Sequence, residues 1–333
     1  MSRHRSTQTA LAATVFLKVL LGASSLLAQA WTPAQGEGLV SVAYQNTFVK
    51  YHLFTTTPLD RGHIRSHAML VDFSYGITDK LALSVGLPYI GAKYDGPYPH
   101  PTGLDTGDYH STFQDLRLGV SYNLTKKWLV VTPFIGTIAP THDYQYWAHS
   151  AVGRDLRELQ IGAYWAKLLD PVLPGLFVTG RYSYGFTQTA LDISHNRSNL
   201  DLELGYFVKP EFRIFGLASG QLTHGGMDFP QPAAWATIPI ALVQHHDQIG
   251  RENGLNLGAG AAITVRPSFD LFGSVIHTVT GRNMHELEYA ATFGGTWSFM
   301  TAHGVAHASR STSRDRLTGE TKKLVRCVCQ KGR

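Results

Sequence analysis

The stretch FQDLRLGVSYNL (residues 113–124) sets Asp115, Arg117, Ser121 and Asn123 against Leu116, Leu118, Val120 and Tyr122. Successive side chains on a β-strand leave opposite faces, so this segment has one polar wall and one apolar wall. A soluble sheet turns such an apolar wall to a core, whereas a membrane barrel turns it to lipid. Recurrence and length decide between them. The alternation returns near residues 38–47, 66–75, 80–90, 113–123, 128–138, 156–166, 176–186, 198–208, 212–221, 252–263, 269–279 and 287–299. Most of these stretches match the roughly 9–11 residues that a tilted strand needs to cross a bilayer, against about 5–6 for a globular strand.

The connections sort by parity. After the even-numbered strands come GITDK, LTKK, KLLDPVLPG, KPE and VRPS, all short; after odd-numbered strands come longer loops such as 91–112, 139–155 and 222–251. Short turns at one end and long loops at the other are the grammar of an outer-membrane barrel. A weak repeat (DLRLGVSY, ELQIGAYW, DLELGYFV, GLNLGAGA) opens at Asp115, Glu158, Asp201 and Gly254, each time on an even-numbered strand. Tyr75, Tyr89, Tyr122, Trp128, Trp165, Tyr206, Phe212, Trp297 and Phe299 lie near strand ends, as interfacial belts do. The predicted fold class is all-β: a twelve-stranded antiparallel transmembrane β-barrel with short periplasmic turns and long extracellular loops.

The ends separate from this unit. Arg3, His4 and Arg5 precede an apolar run from Leu11 to Leu27, interrupted by Lys18, and Ala28-Gln29-Ala30 has small-x-small character. Residues 1–30 are therefore expected to be a signal peptide cleaved near Ala30, with a membrane anchor as the alternative. Residues 31–300 are the expected barrel, and 301–333 a basic disordered tail, or equally a gene-model extension. No later run is apolar enough for a membrane helix. Cysteine occurs only at Cys327 and Cys329, which suits a chain that passes an oxidising compartment unfolded. Charged residues make up 16% of the chain, below the roughly 25% usual for soluble domains. The net charge of +5 is too small to argue for nucleic acid.

The hairpin YGITDKLALSVGLPYIGAKYDG (75–96) and the strand after it resemble a family of outer-membrane transporters associated with the meta-pathway of phenol degradation. The matching residues are Tyr75, Gly76, Thr78, Asp79, Leu81, Leu83, Gly86, Pro88, Asp115, Leu118, Gly119 and Tyr122. The likeness spans roughly residues 66–125 and implies a small barrel with a transport role; its motifs concern turns and wall geometry rather than cargo.

Alternation assigns Asp72, Asp115, Arg117, Glu158, Arg181, Asp201 and Glu203 to the lumen. They read either as a lining that orders water and ions or as a charge network that plugs the barrel. Twelve strands fall between barrels filled by side chains and barrels with open channels, so both readings stand. The loop MDFPQPAAWATIPIALVQHHDQ (227–248) brings Phe229, Trp235, Ile238 and Ile240 to the mouth, as an apolar gate or as a cover. Histidines such as His52, His63, His100, His110, His142, His149, His195, His224, His245, His246 and His285 crowd the long loops and their edges. Imidazole beside carboxylate is a donor set for zinc, copper or nickel, but no pair has a fixed ligand spacing; the expected reading is loops bridged by hydrogen bonds, and no metal site is assigned. A rim hydrolase would need His195 and Ser198 side by side, but three positions apart they leave opposite faces of a strand; no catalytic residue is assigned.

The expected function is passive transport of small hydrophobic or aromatic compounds by an integral protein of the cell outer membrane, with no enzyme activity and no cofactor. A plugged structural or surface-interaction barrel, and then a rim lipid hydrolase, are the alternatives. The expected partners are outer-membrane lipid, a small hydrophobic permeant and the barrel-assembly machinery.

Overall fold

The computed structural model describes residues 30–126, 128–230, 237–302 and 304. The expected leader up to residue 29, Trp235 and nearly all of the tail 301–333 lie outside the described residues. The barrel strands are β1 (Glu37–Phe54), β2 (His63–Gly76), β3 (Leu81–Asp95), β4 (His110–Phe113 and Leu116–Tyr122), β5 (Val130–Ala139) and β6 (Glu158–Leu168). They continue as β7 (Leu176–Thr187), β8 (His195–Lys209), β9 (Phe212–Gly225), β10 (Asn253–Arg266), β11 (Phe269–Arg282) and β12 (Met284–Met300). Neighbours in sequence pair antiparallel, and β12 returns to β1 from Glu37↔Met300 to Leu53↔Met284, which closes the sheet. Closure removes every edge and satisfies the backbone without water, as a bilayer requires. Among the described residues no helix is long and apolar enough to span a membrane; the short helices α1 (Ile240–Gln244) and α2 (His246–Ile249) lie in the loop after β9.

The apolar wall faces outward. Val42, Met69, Val71, Leu83, Val85, Leu118, Val120, Ile161, Leu204 and Leu257 are all exposed large apolar side chains on strands. Exposed Tyr122, Trp128, Tyr206 and Trp297 stand near the short turns, with Tyr89, Phe113, Tyr182 and Phe186 towards the long loops. These two belts bracket the lipid-facing band.

The strands outrun the expected ranges at their outer ends. β1 reaches Phe54 and β3 reaches Asp95, while the turn between β11 and β12 shrinks to Asn283 at φ 48°. Beyond the bilayer neither face meets lipid, so the two-residue alternation fades although the backbone ladder continues. β4 breaks at Gln114–Asp115, where the chain shifts from one pairing stretch with β3 to another.

Towards the short-turn end, apolar side chains turn into the lumen. Phe215, Phe272, Ala43 and Ala262 cluster inside the wall, with Leu70 and Leu217 against them. Residues 30–36 form a strap across the same end. Ala30 packs on inward-facing Val130 and Ala166, and its carbonyl accepts a 2.7 Å hydrogen bond from Thr132 Oγ1. Asp79, in the turn after β2, accepts from Gln35 N at 3.0 Å through its carboxylate and from Thr32 Oγ1 at 3.2 Å through its carbonyl. A Cβ at Gly76 would collide with the Ala34 carbonyl, so glycine is required where the strap crosses. The YGITD hairpin motif is thus a strap anchor as well as a turn.

Candidate functional site

Register builds the site. Tyr164, Arg181, Asp201, Ser219 and Asn256 stand opposite one another across β6 to β10, all on the inward face. Above them lies a cavity of about 360 Å³ lined by Glu158, Gln160, Arg181, Arg197, Asp201 and Asn256 among others, and bordered by Met284 at the β11–β12 tip. Glu158 is its hub. It accepts from Arg197 at 2.5 Å, Gln160 at 2.6 Å and Thr187 at 3.2 Å. Arg181 donates to Gln160 at 2.6 Å and to Asp201 at 3.4 Å, and Asp201 also accepts from Ser219 at 2.7 Å. Acids and bases in this chamber are paired locally, so it orders polar groups without favouring one sign of charge.

Of the seven lumen charges expected from alternation, Glu158, Arg181 and Asp201 meet in the chamber. Asp72 and Arg117 pair at 3.1 Å on β2 and β4. Gly86 of β3 lies opposite both in register, and a Cβ there would strike the Asp72 carboxylate. Glycine is what lets the pair reach across the intervening strand. Asp115 sits in the β4 break and accepts from the Tyr144 hydroxyl at 2.5 Å. Glu203 lies in the floor, 1% exposed, with neither carboxylate oxygen hydrogen-bonded among the described residues. Sequence reasoning missed Arg197 and Gln160. Arg197 was legible in principle: it shares the parity of Asn199 and Asp201, but β8 begins three residues earlier than its apolar pattern.

Above the chamber, Phe229 is buried against Phe54 and Ile249, and Ile238 and Leu242 pack on this group. Ile240 is exposed, so it does not join the cover. Asp228 clips this loop to the β11–β12 tip, accepting from Arg282 Nε and Asn283 Nδ2 at 2.8 Å each, with Arg251 Nη1 at 3.3 Å. The Arg282 hydrogen bond is the chief reason that its carboxyl lies below the ordinary value of 3.8. Beside this clip the rings of His52, His100, His149 and His285 form a chain, with Asp105 against His100. Burial, reinforced by the charges of His100 and His285, pushes the His149 imidazole down to about 3. Burial alone would raise Asp105, but hydrogen bonds from His100, His149 and Ser150 hold it well below the usual carboxylate range.

His195 is fully buried and Ser198 is on the other face, as their spacing requires. Ser198 Oγ instead meets His224 Nε2 at 2.8 Å and the Tyr182 hydroxyl at 3.1 Å on the outer wall. Among the described residues no carboxylate or amide orients the His224 ring, so the pair lacks the third group that holds a base in place.

No family model matches the sequence, and no curated protein matches it. Among solved structures, the chain is similar to an outer membrane channel from Pseudomonas putida F1, with TM-score 0.64 and 14% identity over 81% of this chain and 97% of that one. It also aligns with the NanC porin at TM-score 0.45 and 10% identity, covering 78% and 98% of the two chains. A KdgM porin in complex with disordered oligogalacturonate gives TM-score 0.41 and 9% identity over 78% and 99%. The first of these shares the barrel fold with this chain. With its closed sheet and lipid-facing wall, the chain is an integral outer-membrane β-barrel.

Proposed function

We propose that the chain is a passive transporter of small hydrophobic or aromatic compounds carrying a polar group. Cargo passes the apolar mouth, rests in the chamber and leaves sideways between β11 and β12. The observation that carries this reading is a ladder that stops early. Backbone pairing between β11 and β12 ends at Ile276↔Ala290. Further out, side chains join the strands: His277 Nδ1 donates to the Glu288 carbonyl at 3.0 Å, and Leu287 N donates to Thr278 Oγ1 at 3.0 Å. Rotating two side chains frees this stretch, whereas a ladder would have to break bond by bond at roughly 1 kcal/mol each. Met284 stands at the tip of the same hairpin and borders the chamber. The apolar cover at Phe229 suits an apolar body, and the paired charges suit a hydroxyl or carboxyl group. In this reading, the mature chain starts near Trp31, folds with the barrel-assembly machinery and needs no cofactor.

The test is uptake of phenol and of glucose into proteoliposomes, with and without a disulfide joining Thr278→Cys to Leu287→Cys. Phenol uptake that falls on oxidation and returns on reduction supports the lateral route; uptake unaffected by the crosslink overturns it. A second reading is a plugged structural barrel, favoured by Trp31 of the strap, which packs against the Val130 and Ala166 group. It predicts uptake of both solutes no faster than in protein-free liposomes.

A further inference from the structure

Five histidines from five separate stretches converge at the outer mouth. His52 ends β1, His285 begins β12, His100 and His149 come from the loops after β3 and β5, and His246 lies on α2. The His52 ring centroid is 4.5 Å from that of His285 and 4.7 Å from that of His149; His149 is 4.1 Å from His100, which is 5.9 Å from His246. One ring nitrogen from each of His52, His149 and His285 falls within a group whose members are all within 4.8 Å of one another. A second such group joins His100 and His149 to a carboxylate oxygen of Asp105.

Hydrogen bonding prepares these rings as ligands. His149 Nε2 faces the Tyr98 carbonyl at 2.9 Å, so it carries the proton and leaves the Nδ1 lone pair free. His100 Nδ1 faces Asp105 Oδ2 at 3.1 Å, which leaves Nε2 free and gives the carboxylate–histidine arrangement that orients metal-bound imidazoles. His52 is only 4% exposed, and its Nε2 has no hydrogen-bond partner among the described residues. A buried ring nitrogen without a partner is costly, and an ion would satisfy it. Beside it is a void of about 20 Å³ bordered by His52, His285, His246 and Asp247, room for one water or ion.

We propose that His52, His149 and His285 bind one divalent transition-metal ion of the imidazole-binding class (zinc, copper or nickel), with His100 able to close the fourth position. Around a tetrahedral ion the ligand nitrogens stand about 3.3 Å apart, so the rings draw in by roughly an ångström on binding. Soft thiolates are absent from the cluster and nitrogen donors dominate it, which favours these metals over calcium or magnesium. The bound ion would tie the β1 and β12 ends to the loops over the mouth.

The test uses the refolded full chain carrying Cys327→Ser and Cys329→Ser, so that tail thiols supply no ligand. Calorimetric titration with Zn²⁺, Cu²⁺ or Ni²⁺ alone is expected to give one ion per barrel. Asp105→Asn should weaken it by the roughly 10- to 100-fold typical of outer-shell changes. His52→Ala and His149→Ala should each weaken it further, and His142→Ala should leave it unchanged. Absence of stoichiometric binding, or binding that His52→Ala and His149→Ala leave intact, overturns the proposal. Heat-modifiable migration on gels verifies that each variant is folded, and His285→Gln gives an independent reading if His52→Ala fails that check. Binding is measured apart from uptake, so failure here and failure of the transport reading are distinguishable.

Discussion

Glu158 and Asp72 both read as lumen acids, yet their surroundings give them different weights. The Glu158 side chain is 3% exposed and its Arg197 partner 16%, whereas Asp72 and Arg117 are 48% and 43% exposed. Removing one member of a buried pair strands the other charge, at about 3–5 kcal/mol, while an exposed pair contributes about 0–1 kcal/mol. Glu158→Ala is therefore expected to lower the urea midpoint of the folded barrel several times more than Asp72→Ala. Equal shifts would mean that water reaches the Glu158–Arg197 pair freely. Glu158→Ala combined with Arg197→Met should recover most of the loss, because the combination leaves no orphaned charge.

The loop after β9 hangs on Asp228. Its carboxyl is depressed by Arg282, then by Asn283 and Arg251, so the clip contributes stability above the ordinary pKa of 3.8 and loses it as pH falls through the lower folded value. Acidification from pH 7 to 5 should leave the loop protected from trypsin, while Asp228→Asn should expose Arg251 to cleavage already at pH 7. Loss of protection near pH 5 would show that the clip is not what holds the loop. None of this was legible in the sequence, because Asp228, Arg251 and Arg282 share no spacing. The transmembrane strands were legible, since lipid on one side and lumen on the other enforce a period of two. So was the strap anchor in part: the YGITDK residues stood out, but the partner that crosses Gly76 did not. Where the strands leave the bilayer that constraint lapses, and β1, β3 and β12 run on through residues that read as loop. The histidine cluster is the extreme case, five positions spread from His52 to His285 and joined only by closure of the barrel.

The chamber has a floor and a cover, and the two are built differently. The cover is a loop held by one carboxylate and an apolar group around Phe229. The floor joins wall side chains such as Phe215 and Phe272 to a strap that is not part of the wall. Deleting residues 31–36 removes the strap and leaves every strand pair from Glu37↔Met300 onward in place. The barrel should still fold, since closure lies in the β1–β12 ladder rather than in the strap. If the strap seals the lumen, the deletion should turn a silent or flickering protein into one with steady single-channel conductance in planar bilayers. If the wall side chains seal it alone, the deletion should stay silent and Phe215→Ala with Phe272→Ala should open it instead. Conductance in the intact chain equal to that of the deletion would remove the floor from the mechanism. Cargo would then pass straight through rather than sideways between β11 and β12.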